Sequence, residues 1–319
     1  MKKIIFDTDI GIDDAMALLF LHYARNTKIM GIVTGFGNAS SKQTTKNALF
    51  MKNHFELNTP IYEGASKPID GREANIPDFV HGKNGLGNIP VTATKDQPEK
   101  IKGAEAIIEI IKAYPKEITI IAIGRLTNIA HALTICPELP DLTKEIIIMG
   151  GSFGINGQNG NVSPVAEANI AGDPKAADIV LSSNLNKTIV GLDVTTNIIM
   201  NERFFHSLKN TAGEAGKFIY SISRFYLDFQ ERSTGKRECP VHDPSAIAYL
   251  LKPEIFNTFK APIRVATKGI ASGQTIWAPP NQSYELNAWE NIPTSNICTN
   301  ADAQAVLDLF ENVLKSSTN

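Results

Sequence analysis

The feature that most constrains the fold is a set of short runs dense in Ile, Val and Thr, with no polar alternation inside them: residues 3–6, 28–34 (KIMGIVT), 118–123 (ITIIAI), 145–149 (EIIIM) and 188–193 (TIVGLD). A strand with one wet face alternates apolar and polar residues; a continuous run predicts a strand covered on both faces. Helix-length stretches lie between the runs, at residues 14–24, 41–55, 104–113, 126–135 and 173–181. Strand and helix in alternation predict an α/β fold: a Rossmann-like, mostly parallel central sheet flanked by helices and joined by right-handed crossovers. Residues 64–96 and 151–164 (GSFGINGQNGNVSP) are rich in Gly, Pro and Asn and lack periodicity. Loops of that length inside a domain are usually functional. Near the end, residues 263–267 (IRVAT) read as a strand and 302–314 as a helix. No repeat or linker-like composition divides the chain, so a single domain over residues 1–319 is expected.

The first strand run leads into Asp7-Thr8-Asp9-Ile10-Gly11-Ile12-Asp13-Asp14, four carboxylates within eight residues. In an open parallel sheet, ligands bind beyond the carboxyl ends of the strands. Asp13 and Asp14 are predicted in the first turn of the next helix, where free N–H groups and the helix dipole favour negative charge by about 0.3–1 kcal/mol each. That is too little to offset crowding, so one carboxyl should hold a proton unless a cation intervenes. Oxygen-only donors call for a hard ion, calcium or magnesium. An EF-hand is excluded, because the twelfth position counted from Asp7 is Leu18 rather than an acid.

With 20% charged residues and a net charge of −2, the chain has no broad basic field for nucleic acid or an anionic membrane. The odd cysteine count (Cys136, Cys239, Cys298) and wide spacing argue against a disulfide framework or a thiolate zinc site. Lys2 and Lys3 precede only three apolar residues before Asp7, which is no signal-peptide core, so a soluble cytoplasmic protein is expected.

DTDIGIDDAMAL (residues 7–18) resembles the N-terminal signature of the nucleoside hydrolase family. Further likenesses follow in family order: Gly37-Asn38, HGKNGLG (residues 81–87), Leu126-Thr127-Asn128, Met149-Gly150-Gly151, EANIAGDP (residues 167–174), GLDVT (residues 191–195) and Val241-His242-Asp243-Pro244. The resemblance implies a Rossmann-like fold, a bound calcium ion, hydrolysis of the N-glycosidic bond of ribonucleosides to ribose and free base, and a homodimer or homotetramer. It implies Asp9, Asp14 and Asp243 as side-chain ligands of the ion, with the carbonyl of Ile123 beside them. Asp9 is also implied as general base toward a water on the ion. Asp13, Asn38, Glu167 and Asn169 match positions that hold ribose hydroxyls; Asn161 matches a contact near the 5′-hydroxyl and Met149 a residue under the sugar. His81 and His242 match histidines at the base end, with His242 the best proton donor to the leaving base, since histidine titrates near neutrality. Tyr226 falls near a base-pocket position, although its predicted helix gives it and Phe225 a core-like pattern.

The chain departs from the family pattern at Ala168, where Phe is common, and at Arg125, where small residues or proline are common. It departs again at Thr196, where His is common, and across residues 233–240 (STGKRECP). These leave the ion and ribose positions intact and bear on base preference. The same residues allow two alternatives. Phe6-Asp7-Thr8-Asp9 also suits a haloacid-dehalogenase-like phosphohydrolase with Asp7 phosphorylated, Asp178 in its later acidic motif and magnesium bound. A calcium-dependent nucleoside-binding protein would keep the ligands but lose turnover; the intact Asp9 and His242 argue against it.

Overall fold

The computed structural model describes residues 1–92, 94–279 and 282–316. Strand β1 (Lys2–Thr8) shows why the apolar runs do not alternate. Ile4 and Phe6 point into one hydrophobic core and Ile5 into another on the opposite face of the sheet. The same division holds for Ile121 against Ile120 and for Ile147 against Ile148. Each face of the central strands is therefore dry, as continuous apolar runs require.

The strands are β1, β2 (Thr27–Thr34), β3 (Ile61–Glu63), β4 (Ile118–Ala122), β5 (Glu145–Met149), β6 (Lys187–Val190), β7 (Ile199–Asn201), β8 (Glu238–Pro240), β9 (Phe256–Val265), β10 (Thr275–Trp277) and β11 (Thr294–Ala301). Nine form one sheet in the order β10-β9-β11-β6-β5-β4-β1-β2-β3, and β7 pairs with β8 alone. Pairing is parallel from β3 to β11 and antiparallel at β11–β9 and β9–β10. From β1 the chain moves outward to β2 and β3, then returns to place β4 on the other side of β1. The reversal opens a crevice between the carboxyl ends of β1 and β4, the usual ligand site of such sheets.

The mostly parallel α/β architecture is as expected, and the helix at Ile12–Tyr23 is buried almost all round because it lies between the sheet and the helices Asp243–Leu251 and Gly213–Thr234. Several details differ from the sequence reading. The run ending at Asp193 stops as a strand at Val190 and continues as the short helix Leu192–Thr195. The IRVAT strand begins earlier, at Phe256. β11 fits between β6 and β9 although TSNICTNA carries little apolar signal, because only its middle is fully buried. Among the described residues, no helix is long and apolar enough to cross a membrane.

Candidate active site

Asp14 is the third residue of the helix after β1, and its carboxylate knots the whole turn together. Oδ1 accepts from Thr8 Oγ1 at 2.5 Å and from the Asp9 amide at 3.2 Å. Oδ2 accepts from the Gly11 amide at 2.9 Å, half of a capping box, and from Asn38 Nδ2 at 2.7 Å. Gly11 is needed for space: a Cβ there would lie 2.5 Å from Asn38 Nδ2 and 2.7 Å from His81 Nδ1. Asp9 Oδ2 accepts from the Asn38 amide at 2.8 Å and from Arg125 NH1 at 2.6 Å. Among the described residues its buried Oδ1 has no hydrogen-bond partner.

Asp243 arrives from far along the chain. The β7–β8 pair, together with the Val241 amide donating to the Ile198 carbonyl at 2.8 Å, places His242 and Asp243 at the start of the helix Asp243–Leu251, which packs against the helix Ile12–Tyr23. Carboxylate oxygens of Asp13, Asp14 and Asp243 come within 4.8 Å of one another. Burial, then Asp14, then Asp13 push the Asp9 carboxyl well above the ordinary range, against the Arg125 guanidinium and the Asn38 amide; Asp243 is raised first by burial, then by Asp13, Asp14 and Asp9. Asp13 is pushed up to about 7 by burial and by Asp14. A divalent cation among them would reverse these shifts. An orphaned buried oxygen on Asp9 beside an all-oxygen cluster fits a hard ion.

Glu167 caps the short helix Ala168–Gly172: Oε1 accepts from the Asn169 amide at 2.8 Å, and Oε2 from the amides of Gly151 at 3.0 Å and Ile170 at 3.1 Å. It is buried, and burial raises its pKa. Asn169 Nδ2 donates to the carbonyls of Ile123 at 2.8 Å and Met149 at 3.2 Å, so the ends of β4 and β5 are tied to one amide. The carbonyl of Ile123 thus faces the site but is engaged by Asn169. Asn161 is exposed at the rim, with its Oδ1 accepting from the Ala168 amide at 3.0 Å.

These groups open onto a cleft of about 660 Å³ lined by Asp13, Asn38, His81, Ile123, Met149, Asn161, Glu167, Asn169, Tyr226, His242 and Asp243, a size suited to a small molecule. Asp9 and Asp14 lie buried behind that wall. His81 is buried, and its Nδ1 accepts from the Ile12 amide at 3.2 Å. A ring nitrogen that accepts carries no proton, so the proton of neutral His81 is on Nε2. Burial pushes His81 down to about 3, helped by the Arg125 charge. The HGKNGLG segment is anchored rather than loose: Leu86 is fully buried, and Asn47 Nδ2 donates to the Asn84 carbonyl at 2.8 Å.

His242 Nδ1 lies 2.8 Å from Thr195 Oγ1. Burial lowers His242 to about 4, so it is a neutral imidazole at pH 7. This corrects the expectation of a histidine titrating near neutrality: the desolvated site favours the uncharged ring. Tyr226 combines both sequence readings, being buried yet facing the cleft, with its ring 6.0 Å from His81 and nearly parallel to it. Phe229 lies a further 6.4 Å from Tyr226, and the exposed Phe79 lies 5.8 Å from Phe229 at the mouth. Phe79 and Phe229 were missed, because an isolated Phe in a loop or on a helix gives no signal of the cleft it borders. Asp193 was missed too: it accepts from the amides of Phe153 at 2.8 Å and Ile155 at 2.7 Å and pins the 151–164 loop. Thr196 lines the cleft and donates to Gln158 at 2.9 Å.

The phosphohydrolase alternative finds no support. Asp7 is buried away from the cleft, its Oδ1 accepting from Asn128 Nδ2 at 2.8 Å, and Asp178 is paired with Arg264 at 2.7 Å. The sequence profile of the inosine-uridine preferring nucleoside hydrolases matches residues 4–308. Uridine nucleosidase 1 of Arabidopsis thaliana is 36% identical over 309 residues, covering 96% of this chain and 91% of its own. A solved plant nucleoside hydrolase superposes with a TM-score of 0.95 at 32% identity, covering 98% of this chain and 99% of its own. A purine-preferring ribonucleoside hydrolase from Gardnerella vaginalis gives 0.91 at 28% identity over the full length of both chains. With a carboxylate cluster at the β1–β4 crevice and this likeness along nearly its whole length, the chain belongs to the inosine-uridine preferring nucleoside hydrolase family and is an N-glycosyl hydrolase of ribonucleosides.

Proposed function

We propose that the protein binds calcium at Asp9, Asp14, Asp243 and the Ile123 carbonyl, and cleaves ribonucleosides with the sugar at the carboxylate end of the cleft and the base toward His81, Tyr226 and His242. The observation that carries this reading is the convergence of Asp13, Asp14 and Asp243 oxygens within 4.8 Å, beside the unpartnered Oδ1 of Asp9. When bound, a hard ion would anchor sugar hydroxyls and make a water more acidic. Asp9 is the proton acceptor: with an ion beside it the carboxylate is held ionised and can take a proton from a neighbouring water. Asp13, Asn38, Glu167 and Asn169 hold the ribose hydroxyls, Asn161 reaches the 5′ end, and Met149 packs beneath the ring.

Positive charge on the ribose ring grows as the glycosidic bond breaks. The Glu167 and Asp13 carboxylates, already fixed by backbone donors, stabilise that charge without reorganising. His81 offers its Nε2–H toward the base end, and neutral His242, fixed by Thr195, is the second donor to a base departing with negative charge. Cytoplasmic residence is consistent with three free, buried cysteines, and the proposal includes a homodimer or homotetramer.

Reducing-sugar release from a panel of purine and pyrimidine ribonucleosides in calcium tests the reading. Ribose and free base in equal amounts are expected. Stoichiometric nucleoside binding without ribose would replace the enzyme by a binding protein.

A further inference from the structure

Arg125 follows β4, where the chain departs from the small residue or proline of the family motif. Its guanidinium turns back into the carboxylate cluster. NH1 donates to Asp9 Oδ2 at 2.6 Å and to Asn169 Oδ1 at 3.1 Å, and the residue is 8% exposed. The side chain lies in a slot that two distant glycines keep open. A Cβ on Gly172 would lie 2.6 Å from Arg125 Cγ and Nε, and one on Gly37 would lie 2.5 Å from NH1. The placement is therefore built from three segments of the chain, not a surface arginine folded inward. A buried charge persists only with a partner of opposite sign, and here the partner is the carboxylate assigned as ion ligand and proton acceptor.

We propose that Arg125 is the resident cation of the ion-free site: it neutralises Asp9 when no divalent ion is bound, and its charge opposes the incoming ion, setting affinity below what the carboxylates alone would give. The inference rests on the reading that Asp9, Asp14 and Asp243 hold the ion. Asp9 Oδ2 is saturated by Arg125 and the Asn38 amide, so an ion reaches Asp9 through the free Oδ1 or displaces the guanidinium. On the first route two cations share one carboxylate; on the second the Arg125–Asp9 contact must be broken. Repulsion between neighbouring charges in a site of intermediate dielectric weakens binding by about tenfold or more. The same contact keeps the cluster folded without an ion, because Asp9, Asp13, Asp14 and Asp243 would otherwise face each other with less compensation.

Calcium titration of chelator-stripped protein by calorimetry, paired with thermal melts with and without calcium, tests this on wild type, Arg125→Gln and Arg125→Lys. The Gln variant is expected to bind calcium at least about tenfold more tightly, to melt lower than wild type when stripped, and to gain more from added calcium. The Lys variant, which keeps the charge, should stay near wild type. Equal or weaker calcium binding by the Gln variant overturns the role of Arg125 and leaves the ion site standing. No calcium binding by any of the three proteins overturns the ion site itself. If the stripped Gln variant is unfolded, calcium should refold it; a variant unfolded in both conditions would make Arg125 a folding residue and end the proposal.

Discussion

The two ends of the cleft are built in different ways. The carboxylate end hangs on strand ends and helix starts: Asp9 after β1, Asp13 and Asp14 in the first helical turn, and Asp243 at the start of its helix. Its side chains are buried, and those of Asp9 and Asp14 are bound to backbone amides. The base end draws on the four-residue helix Asp78–His81, the long helix Gly213–Thr234 and the loops beside them, and reaches solvent at Phe79, which is 63% exposed. A site on rigid elements holds a reacting geometry; one on loops and ring faces adapts to its ligand. On the proposed reading, the chemistry sits at the rigid end and base preference at the other.

The comparison breaks first at Asp9. Asp9→Asn should lower kcat by about 10³-fold for every nucleoside alike, the scale of losing a positioned base, and lower the melting temperature by leaving Arg125 without its partner. A loss confined to one base would show that Asp9 acts at the wrong end. His242→Ala should cost less, about 10²-fold, and the loss should shrink for nucleosides whose base leaves easily as an anion. An equal loss for good and poor leaving groups would reduce His242 to a support for Asp243.

A third test concerns stability. Burial holds Asp7 up to about 7 from its ordinary value of 3.8, against the lowering effect of the Asn128 hydrogen bond. Between those values the folded protein keeps a proton that the unfolded chain has lost, so this contribution is complete below 3.8 and disappears as pH rises through about 7. Wild type should therefore lose melting temperature relative to Asp7→Asn across that window; parallel profiles would refute the assignment. The smallest effect is expected at the mouth. Phe79→Ala should shift the ratio of kcat/KM between purine and pyrimidine nucleosides by about 10-fold or less, the worth of one partly exposed aromatic contact, with little change in stability. An unchanged ratio would remove Phe79 from base selection.

The same contrast explains what the sequence could reveal. The central sheet was legible because strands dry on both faces must be apolar throughout, and Asp7 to Asp14 stood out because four crowded acids exceed what capping one turn requires. The resemblance implied Asp9, Asp14 and Asp243 as ion ligands and Asp13 as a ribose contact, whereas the carboxylate oxygens within 4.8 Å of one another are those of Asp13, Asp14 and Asp243. β11 was hidden because its short buried segment gives no run. The neutrality of His242 was hidden because it depends on burial by distant elements. Arg125 was visible only as a departure; its pairing with Asp9 needed the folded crevice.

The central claim is that the buried carboxylates act through a bound hard ion. Ribose release from a good nucleoside substrate should fall to background after exhaustive chelation, return with added calcium, and fail to return in Asp243→Asn. Undiminished ribose release by the chelated wild-type protein would contradict the account.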